Sequence, residues 1–384
     1  MLEHAKGRLR ELQGHLREAK VDVALLTDES TIAYYAGFWG YLSVEFGRPT
    51  FLIVPADGNP VVVTPLMESE MVSAMTWVCD VRTWEDSGPN HWDKVLARIF
   101  APLPRRLGVE KTVLPGLVLN WLESASNSAQ LTDVSPLIAK MRTVKSSFEI
   151  EIMKQAGLVA AAMMSAAQDA LAEGVPEYEA ALAVINAGTR AAADFLTAKG
   201  WEQFVSPMIH NLQIMQSGMD TSMVHRRASV KRLQAGDPVY FCFCNMAQFK
   251  QYKLGFDRMF NITHVSDQAA DVQQAAIDAQ QAALKAVQPG VTAEAVAEAA
   301  NEVYRDRGYA PSYRTGRSIG MAYLETPELK SGDTTVLKPG MTFAVDGGIS
   351  VDGQYGGRIG DSVVVTTDGF EYLTEYPREV VVVG

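Results

Sequence analysis

The hydrophobic pattern of this sequence changes near residue 140, and the change divides the chain into two predicted domains. Before it, short apolar runs such as "VDVALLT" and "TFLIVPADGNPVVVTP" alternate with turn residues, a pattern typical of an α/β domain. After it, Ser146 precedes Glu149 at the spacing of a capping box and opens a long helical segment. Later helical segments are followed by strand-like runs, which predict an α+β domain. We therefore expect an α/β domain over residues 1–140 and an α+β domain over residues 141–384.

Length and charge limit the classes of function open to such a chain. Its 384 residues exceed the size of one hydrophobic core, which rarely grows beyond about 250–300 residues. A formal net charge of -11 gives no broad basic footprint, so no nucleic-acid or membrane partner is expected. No run approaches the roughly 20 apolar residues of a membrane span, and the charged amphipathic N-terminus is unlike a signal peptide. These features favour a cytoplasmic protein with a small-molecule partner.

The cysteines give no sign of a disulfide framework. There are three of them, Cys79, Cys242 and Cys244, which is an odd number and too few for such a framework. Cys242 and Cys244 are spaced as two residues on one face of a strand. We expect free buried thiols at these positions rather than a metal pair.

Two aspartates lie inside apolar, strand-forming runs, Asp257 in "LGFDRMF" and Asp346 in "FAVDGGI". An ionised carboxylate in such a run is costly unless it is paired or functional. Arg258 and Arg358 are available as partners, so structural ion pairs and a functional site stand as equal alternatives. His225 ends the run "SGMDTSMVH"; its side chain suits proton transfer near neutral pH, although a lone loop histidine is more often structural.

Several motifs follow one another in a recognisable order. They are "TIAYYAGF", "FGRP", "MRTVKSSFEIEIMKQAG", "VPEYEAAL", "QSGMDTSMVH", "LKPGM" and "GGRIGDSVVV", and together they cover nearly the whole chain. This order resembles the creatinase branch of the pita-bread family, which also contains methionine aminopeptidases and prolidases. The resemblance implies a pita-bread fold for the C-terminal domain. It also implies that His225 transfers a proton and that Arg48 of "EFGRP" holds a substrate carboxylate.

The metal positions of that family are altered in this chain. Its metallopeptidases bind two divalent metals through two Asp, one His and two Glu, which are ligands suited to such ions. The flanking motifs align Cys244 and Gly255 with the aspartates, Arg317 with the histidine and Gly360 with the last glutamate. Only Asp346 keeps a carboxylate, and a guanidinium cannot ligate a cation. The resemblance therefore implies no metal and no other cofactor.

The resemblance to creatinase implies that Asp257 and Asp346 hold the cationic head of a small zwitterion while His225 moves the proton. The predicted function is thus a metal-independent hydrolase of the amidinohydrolase type, acting on a C–N bond other than a peptide bond. Both aspartates are one methylene shorter than the glutamates expected there, which puts creatine itself in doubt. The alternatives are an ectoine-like ring hydrolysis, a lyase reaction, or a non-catalytic binding protein on the same fold.

Further substrate contacts are expected from Arg317, Arg258 and Tyr323, the last falling near the position of a second substrate-binding arginine. The sequence leaves open whether Arg317 binds substrate or neutralises Asp346. In creatinase-like dimers the arginine of "FGRP" reaches the site of the other subunit. We therefore expect a homodimer with shared sites, each completed by Arg48.

Overall fold

The computed structural model of the chain describes residues 2–40, 47–125, 130–201, 205–209, 214–244 and 248–384. The chain divides into two compact units, residues 1–141 and 142–384, and the predicted boundary falls after residue 140. Positions 45 and 46 of the motif "EFGRP" lie outside the described residues. None of the described helices combines the length and the apolar character needed to cross a membrane.

The first unit has the α/β architecture that the sequence predicts. Its elements are α1 (Leu2–Glu18), β1 (Val23–Leu26), α2 (Glu29–Ala36), β2 (Phe51–Pro55), β3 (Val61–Pro65), α3 (Ser69–Met75), β4 (Asp80–Trp84), α4 (Trp92–Ile99), β5 (Arg106–Val109), α5 (Gly116–Ala125) and β6 (Gln130–Asp133), followed by α6 (Ser135–Thr143) at the unit boundary. The strands form a mixed sheet in the order β4-β3-β2-β1-β5-β6. β1 pairs antiparallel with β2 and parallel with β5. The apolar runs of β1, β2 and β3 are almost entirely buried.

Within its described residues, the second unit contains four long helices in two pairs. They are α7 (Ser147–Asp169), α8 (Glu177–Lys199), α9 (Asp267–Ala286) and α10 (Ala293–Asp306). The predicted capping box is confirmed: Ser146 accepts a hydrogen bond from the backbone of Glu149, and the Glu149 carboxylate accepts one from the backbone of Ser146. This exchange satisfies two backbone donors that the first turn of α7 would otherwise leave unpaired.

The strands of the second unit are β7 (Ile214–Ser217), β8 (Pro238–Cys242), β9 (Gln248–Phe249), β10 (Tyr252–Lys253), β11 (Asp257–Ile262), β12 (Gly316–Ser318), β13 (Glu325–Leu329), β14 (Thr342–Val351), β15 (Tyr355–Val365), β16 (Phe370–Tyr372) and β17 (Val381–Val383). In the described part of the chain the main sheet runs in the order β13-β12-β14-β15-β11-β8-β7. Helix α9 packs closely on β14 and β15. A Cβ at Gly347 of β14 would lie 2.1 Å from the carbonyl oxygen of Ala276, and a Cβ at Gly357 of β15 would lie 2.5 Å from that of Val272. The opposite face of the sheet is free to carry polar side chains.

Helix α7 approaches another backbone segment at Gly157, where a Cβ would lie 1.6 Å from the carbonyl oxygen of Leu373. We expect Gly157→Ala to lower the free energy of unfolding by about 1–3 kcal/mol, because the overpacked contact outweighs the better helix propensity of alanine. Gly7→Ala in α1 is the matched control, since that glycine has nothing within 4 Å. Urea unfolding should show the control to be as stable as the native chain or more so. Equal midpoints for the two variants would contradict the expectation.

Candidate active site

The second unit contains a half-open cavity of about 680 Å³ on the polar face of its sheet. Most of the site residues predicted from the sequence line it, namely His225, Asp257, Arg317, Tyr323 and Asp346. The cavity also contains residues that the sequence did not single out for the site, among them Tyr240, Cys242 and Arg358. The predicted residues are therefore brought together by the fold, although they come from distant parts of the chain.

Strand register places the central side chains in one row. Asp257 on β11 pairs with Cys242 on β8 at one side and with Gly360 on β15 at the other. Gly360 in turn pairs with Asp346 on β14. Because directly paired residues project from the same face of a sheet, Cys242, Asp257 and Asp346 all face the cavity.

Gly360 lets two carboxylates approach each other. A Cβ at this glycine would lie 2.9 Å from Asp257 Oδ2 and 2.9 Å from Asp346 Oδ1. Burial, and then the charge of Asp346, raise the pKa of Asp257 to about 6, and the hydroxyl that Tyr240 donates to Oδ2 at 3.0 Å offsets part of that rise. Asp257 can therefore exchange a proton near neutral pH, which is what a general acid or base requires.

Arg317 spans the cavity floor and is buried. Its Nη1 lies 2.5 Å from Asp346 Oδ2, its Nη2 lies 2.7 Å from Cys244 Sγ, and its Nε donates to the Tyr323 carbonyl at 3.1 Å. Of the two roles that the sequence left open, the structure shows the pairing with Asp346. Tyr323 contacts this arginine through its backbone, and its half-exposed ring lines the cavity.

Two thiols adjoin Asp257. Tyr240, Cys242 and Cys244 alternate along β8 and its continuation, so they share a face, and this alternation was the sequence signal that could have found them. Cys242 Sγ lies 2.9 Å from Cys244 Sγ, which lies 3.8 Å from Asp257 Oδ1. Both thiols are free, and burial raises the pKa of Cys242 well above its ordinary value. Cys244 is half-buried and reaches the cavity.

Two polar atoms at the cavity have no partner among the described residues, Asp346 Oδ1 and Arg358 Nε. Gly348 pairs with Arg358 as Asp346 pairs with Gly360, and alternate residues of a strand share a face. Asp346 and Arg358 therefore project side by side from the β14–β15 hairpin. A buried polar atom without a hydrogen bond costs about 1–3 kcal/mol, so a ligand that offers both a donor and an acceptor would be favoured here.

The prediction that Arg258 contacts the substrate is wrong, because its side chain does not line the cavity. It follows Asp257 on β11 and so points to the opposite face of the sheet. There its guanidinium is buried and bonds to Asp361 Oδ1 at 2.8 Å, to the Gly360 carbonyl at 2.8 Å and to the Pro377 carbonyl at 2.7 Å. Arg258 is therefore a structural residue and not a substrate contact.

His225 follows a 3-10 turn and lines the cavity with an exposed side chain. The next residue anchors the segment: Arg226 Nη1 lies 2.9 Å from the buried carboxylate of Glu177, which also accepts a hydrogen bond from Ser217 at 2.7 Å. This anchoring explains why the loop brings His225 to the cavity rim. Its role in proton transfer stays a prediction.

Arg48 belongs to the first unit and lies outside the set of residues that line the cavity in the second unit. Its Nε and Nη2 contact the two carboxylate oxygens of Asp86 at 2.8 and 3.0 Å, a two-pronged ion pair on the surface. The guanidinium of Arg48 would have to leave Asp86 before it could bind a substrate carboxylate. The predicted role of Arg48 in a shared site stays a prediction.

Comparison with known proteins gives this geometry a context. The family model described as metallopeptidase family M24 matches residues 151–367, and that of the creatinase/prolidase N-terminal domain matches residues 8–144. Agropine synthesis cyclase of Rhizobium rhizogenes is 29% identical over 96% of this chain and 95% of its own length. An Xaa-Pro dipeptidase of Lactobacillus delbrueckii subsp. lactis is 28% identical over 97% of each chain. The crystal structure of recombinant prolidase from Thermococcus sibiricus matches with a TM-score of 0.85 and 24% identity, over 98% of this chain and 99% of the prolidase.

These matches confirm the predicted pita-bread fold, but they show that the predicted function is wrong. The relatives are mostly named Xaa-Pro dipeptidase or probable dipeptidase, and the matching family is described as one of metallopeptidases. A metal-independent amidinohydrolase is not supported, although one relative is named creatinase. The site supplies a physical reason for the error. Arg317 already neutralises Asp346, so the cavity lacks the two free carboxylates that a cationic head would require.

The positions that align with the family's metal ligands do not fit a pair of divalent cations. A Cβ at Gly255 would lie 2.8 Å from Arg317 Nη2, so the guanidinium fills the space beside that position. The same guanidinium contacts Cys244 and Asp346, and it carries a fixed positive charge. Arg317 thus stands where the family has a histidine ligand, and its guanidinium repels a cation instead of binding it.

Proposed function

Since this chain belongs to metallopeptidase family M24 and is an enzyme of that family, we propose that it transfers the acyl group of a small peptide-like amide that carries a free carboxylate. With water as the acceptor, the reaction is amide hydrolysis. The observation that carries the proposal is the pair of unpartnered atoms on the β14–β15 hairpin. An amide substrate offers a carbonyl oxygen to Arg358 Nε and an N–H to Asp346 Oδ1, which satisfies both atoms at once.

The charge of the cavity supports a carboxylate on the substrate. Its lining includes Arg226, Arg227, Arg314, Arg317 and Arg358. Three of these guanidiniums are paired with acidic side chains, whereas Arg227 and Arg358 form no ion pair with any described residue. A cavity with unpaired guanidiniums in a chain of net charge -11 favours a small anion over a cation.

Asp257 supplies the proton chemistry that acyl transfer needs. Its carboxylate takes a proton from the attacking nucleophile and then returns it to the leaving nitrogen. Arg358 binds the substrate oxygen, and Arg317 pairs with Asp346 Oδ2 and so orients the other carboxylate oxygen toward the substrate N–H. Such a cycle returns Asp257 to its starting form after each turnover.

A panel of dipeptides tests the proposal, with release of the free amino acid as the measurement. We expect cleavage of some dipeptides and none of their carboxyl-amidated counterparts. Arg358→Gln should lower kcat/KM by about 10- to 100-fold, because a charge-assisted contact to the substrate carbonyl oxygen is lost. Arg314→Gln is the matched control, since this cavity arginine is already bonded to Glu328 at 2.9 Å. An inert panel, or equal effects of the two substitutions, would refute the proposal.

One relative, which is named agropine synthesis cyclase and aligns with 96% of this chain, favours a second kind of acceptor for the acyl group. The same acyl transfer closes a ring when a hydroxyl or amine of the substrate replaces water as the acceptor. Product masses separate the two outcomes, because both release the amine but the cyclised acyl product is one water lighter than the hydrolysed one. A cytoplasmic location and a homodimer that shares its sites through Arg48 remain proposals beside this one.

A further inference from the structure

The sulfur of Cys244 is the point at which three groups of the cavity converge. Arg317 Nη2 donates to it at 2.7 Å, and Cys242 Sγ lies 2.9 Å away. Asp257 Oδ1 lies 3.8 Å from the same sulfur, within reach of the thiol proton. A partly exposed sulfur beside a fixed cation and a carboxylate base is the setting typical of reactive cysteines.

From this arrangement we propose that Cys244 is the nucleophile of the site and carries the acyl group as a thioester. The inference rests on the proposed acyl transfer and names the atom that attacks. Cys244 lines the cavity with the two unpartnered atoms that would hold an amide. Cys242 is less suited to the role, since its side chain is buried and its thiol donates to Cys244 Sγ at 2.9 Å.

The reaction balances with groups of the site alone. Cys244 gives its proton to the Asp257 carboxylate and attacks the acyl carbon, so that a C–S bond forms and the C–N bond breaks. Asp257 returns the proton to the leaving nitrogen, and an amine departs. Water, or a hydroxyl of the acyl group, then attacks the thioester while Asp257 accepts its proton. The C–S bond breaks and the thiol is restored by that proton, with no oxidant or reductant involved.

Arg317 has a positioning role in this scheme. Its contact with Asp346 fixes the guanidinium, so that Nη2 is held toward the sulfur. A guanidinium stays protonated, and its N–H stabilises the negative charge on the attacking and leaving sulfur. Removing the guanidinium should therefore slow every reaction in which Cys244 attacks an electrophile.

The other two cysteines are internal controls for a labelling experiment. Cys79 is exposed on the first unit, and Cys242 is buried beside the site. On exposure alone, an alkylating reagent should modify Cys79 first and Cys242 last. We propose to treat the full-length native chain with iodoacetamide and to follow each cysteine by peptide mass spectrometry. The reagent is neutral, so the cavity arginines do not attract it.

We expect Cys244 to react at least about tenfold faster than Cys79, despite its lower exposure. Arg317→Gln should reduce the rate of Cys244 to that of Cys79 or below, whereas Arg314→Gln should leave it unchanged. Protection of Cys242 reports that each variant is folded. A rate of Cys244 below that of Cys79 in the native chain overturns the proposal, even if Arg317→Gln fails to fold.

An acyl donor completes the test. With p-nitrophenyl acetate we expect an acetyl group on Cys244 that hydroxylamine removes, and none at that position in Cys244→Ala. If dipeptides are cleaved while Cys244 resists both reagents, the thioester is refuted and acyl transfer with direct attack by water stands. If Cys244 is acetylated but no dipeptide is cleaved, the nucleophile is supported and the proposed substrate class fails.

Discussion

Asp257→Asn should lower kcat by about 10²- to 10⁴-fold, the range typical for loss of a general acid or base. The asparagine preserves the shape of the side chain and can still accept the hydrogen bond from Tyr240, so the loss is one of proton transfer. In the native enzyme the reaction begins with an ionised Asp257. Its rate should therefore fall as pH drops below the carboxyl pKa of about 6. The pH profile of kcat/KM for any dipeptide that is cleaved measures both effects, and the variant should lack this acid limb.

The stability of the same variant is its control. In the native state the pKa of Asp257 is raised from 3.8 to about 6 by burial, so the folded chain holds this proton more tightly than the unfolded chain. Native stability should consequently fall as pH rises from about 4 to 6, by up to about 3 kcal/mol for a shift of about two pH units. Asp257→Asn lacks this fall and should be the more stable protein at pH 8, with little difference at pH 4. An inactive variant that is less stable at pH 8 would indicate misfolding instead.

The second large effect is expected at Asp361, which is fully buried on the face of the sheet opposite the cavity. Its carboxylate contacts Arg258 at 2.8 Å and Arg378 at 3.0 Å, and it accepts further hydrogen bonds from Gln280 and Thr374, each at 3.0 Å. Asp361→Asn leaves the buried charge of Arg258 without a counter-ion. We expect the free energy of unfolding to fall by about 3–5 kcal/mol, as measured by urea titration.

Glu298→Gln is the matched control for that substitution, because it removes one carboxylate from an exposed ion pair with Arg305. Its effect should stay below about 1 kcal/mol. Replacing Arg258 and Asp361 together by Met and Leu should recover part of the loss, since the buried guanidinium is then absent and only the partly exposed Arg378 lacks its counter-ion. Equal losses for Asp361→Asn and Glu298→Gln would show that the buried network contributes little.

Several features of the fold could be predicted because they depend on residues that are close together in the sequence. The capping box at Ser146 and Glu149 is set by a spacing of three residues, and the structure contains it. The short apolar runs of β1 to β3 predicted an α/β unit, and the family that the longer motifs resemble is confirmed by the two family models that match the chain. These signals are local or rest on similarity over a long alignment, so they do not depend on which strand lies beside which.

The candidate site was less predictable, and Arg258 shows why. In the sequence it adjoins Asp257 and is a natural partner for it, yet successive residues of a strand face opposite sides of the sheet. The partner of Arg258 is Asp361, more than a hundred residues away along the chain, and that of Asp346 is Arg317 rather than Arg358. The error over function has the same origin. Two aspartates suggest a binding site for a cationic group only if both are unpaired, and the sequence does not show that Asp346 pairs with Arg317.

The sequence by itself determined which residues replace the family's metal ligands, since Cys244, Gly255, Arg317 and Gly360 can be read from the flanking motifs. What those residues do was decided by the tertiary structure. Strand register puts Gly360 between two carboxylates, and the reach of the Arg317 side chain brings its guanidinium to Asp346 and Cys244. Burial then raises the pKa of Asp257, a consequence of packing that no local pattern encodes. The charge and proton affinity of this site arise from contacts between strands that are distant in sequence, and only the folded sheet sets them.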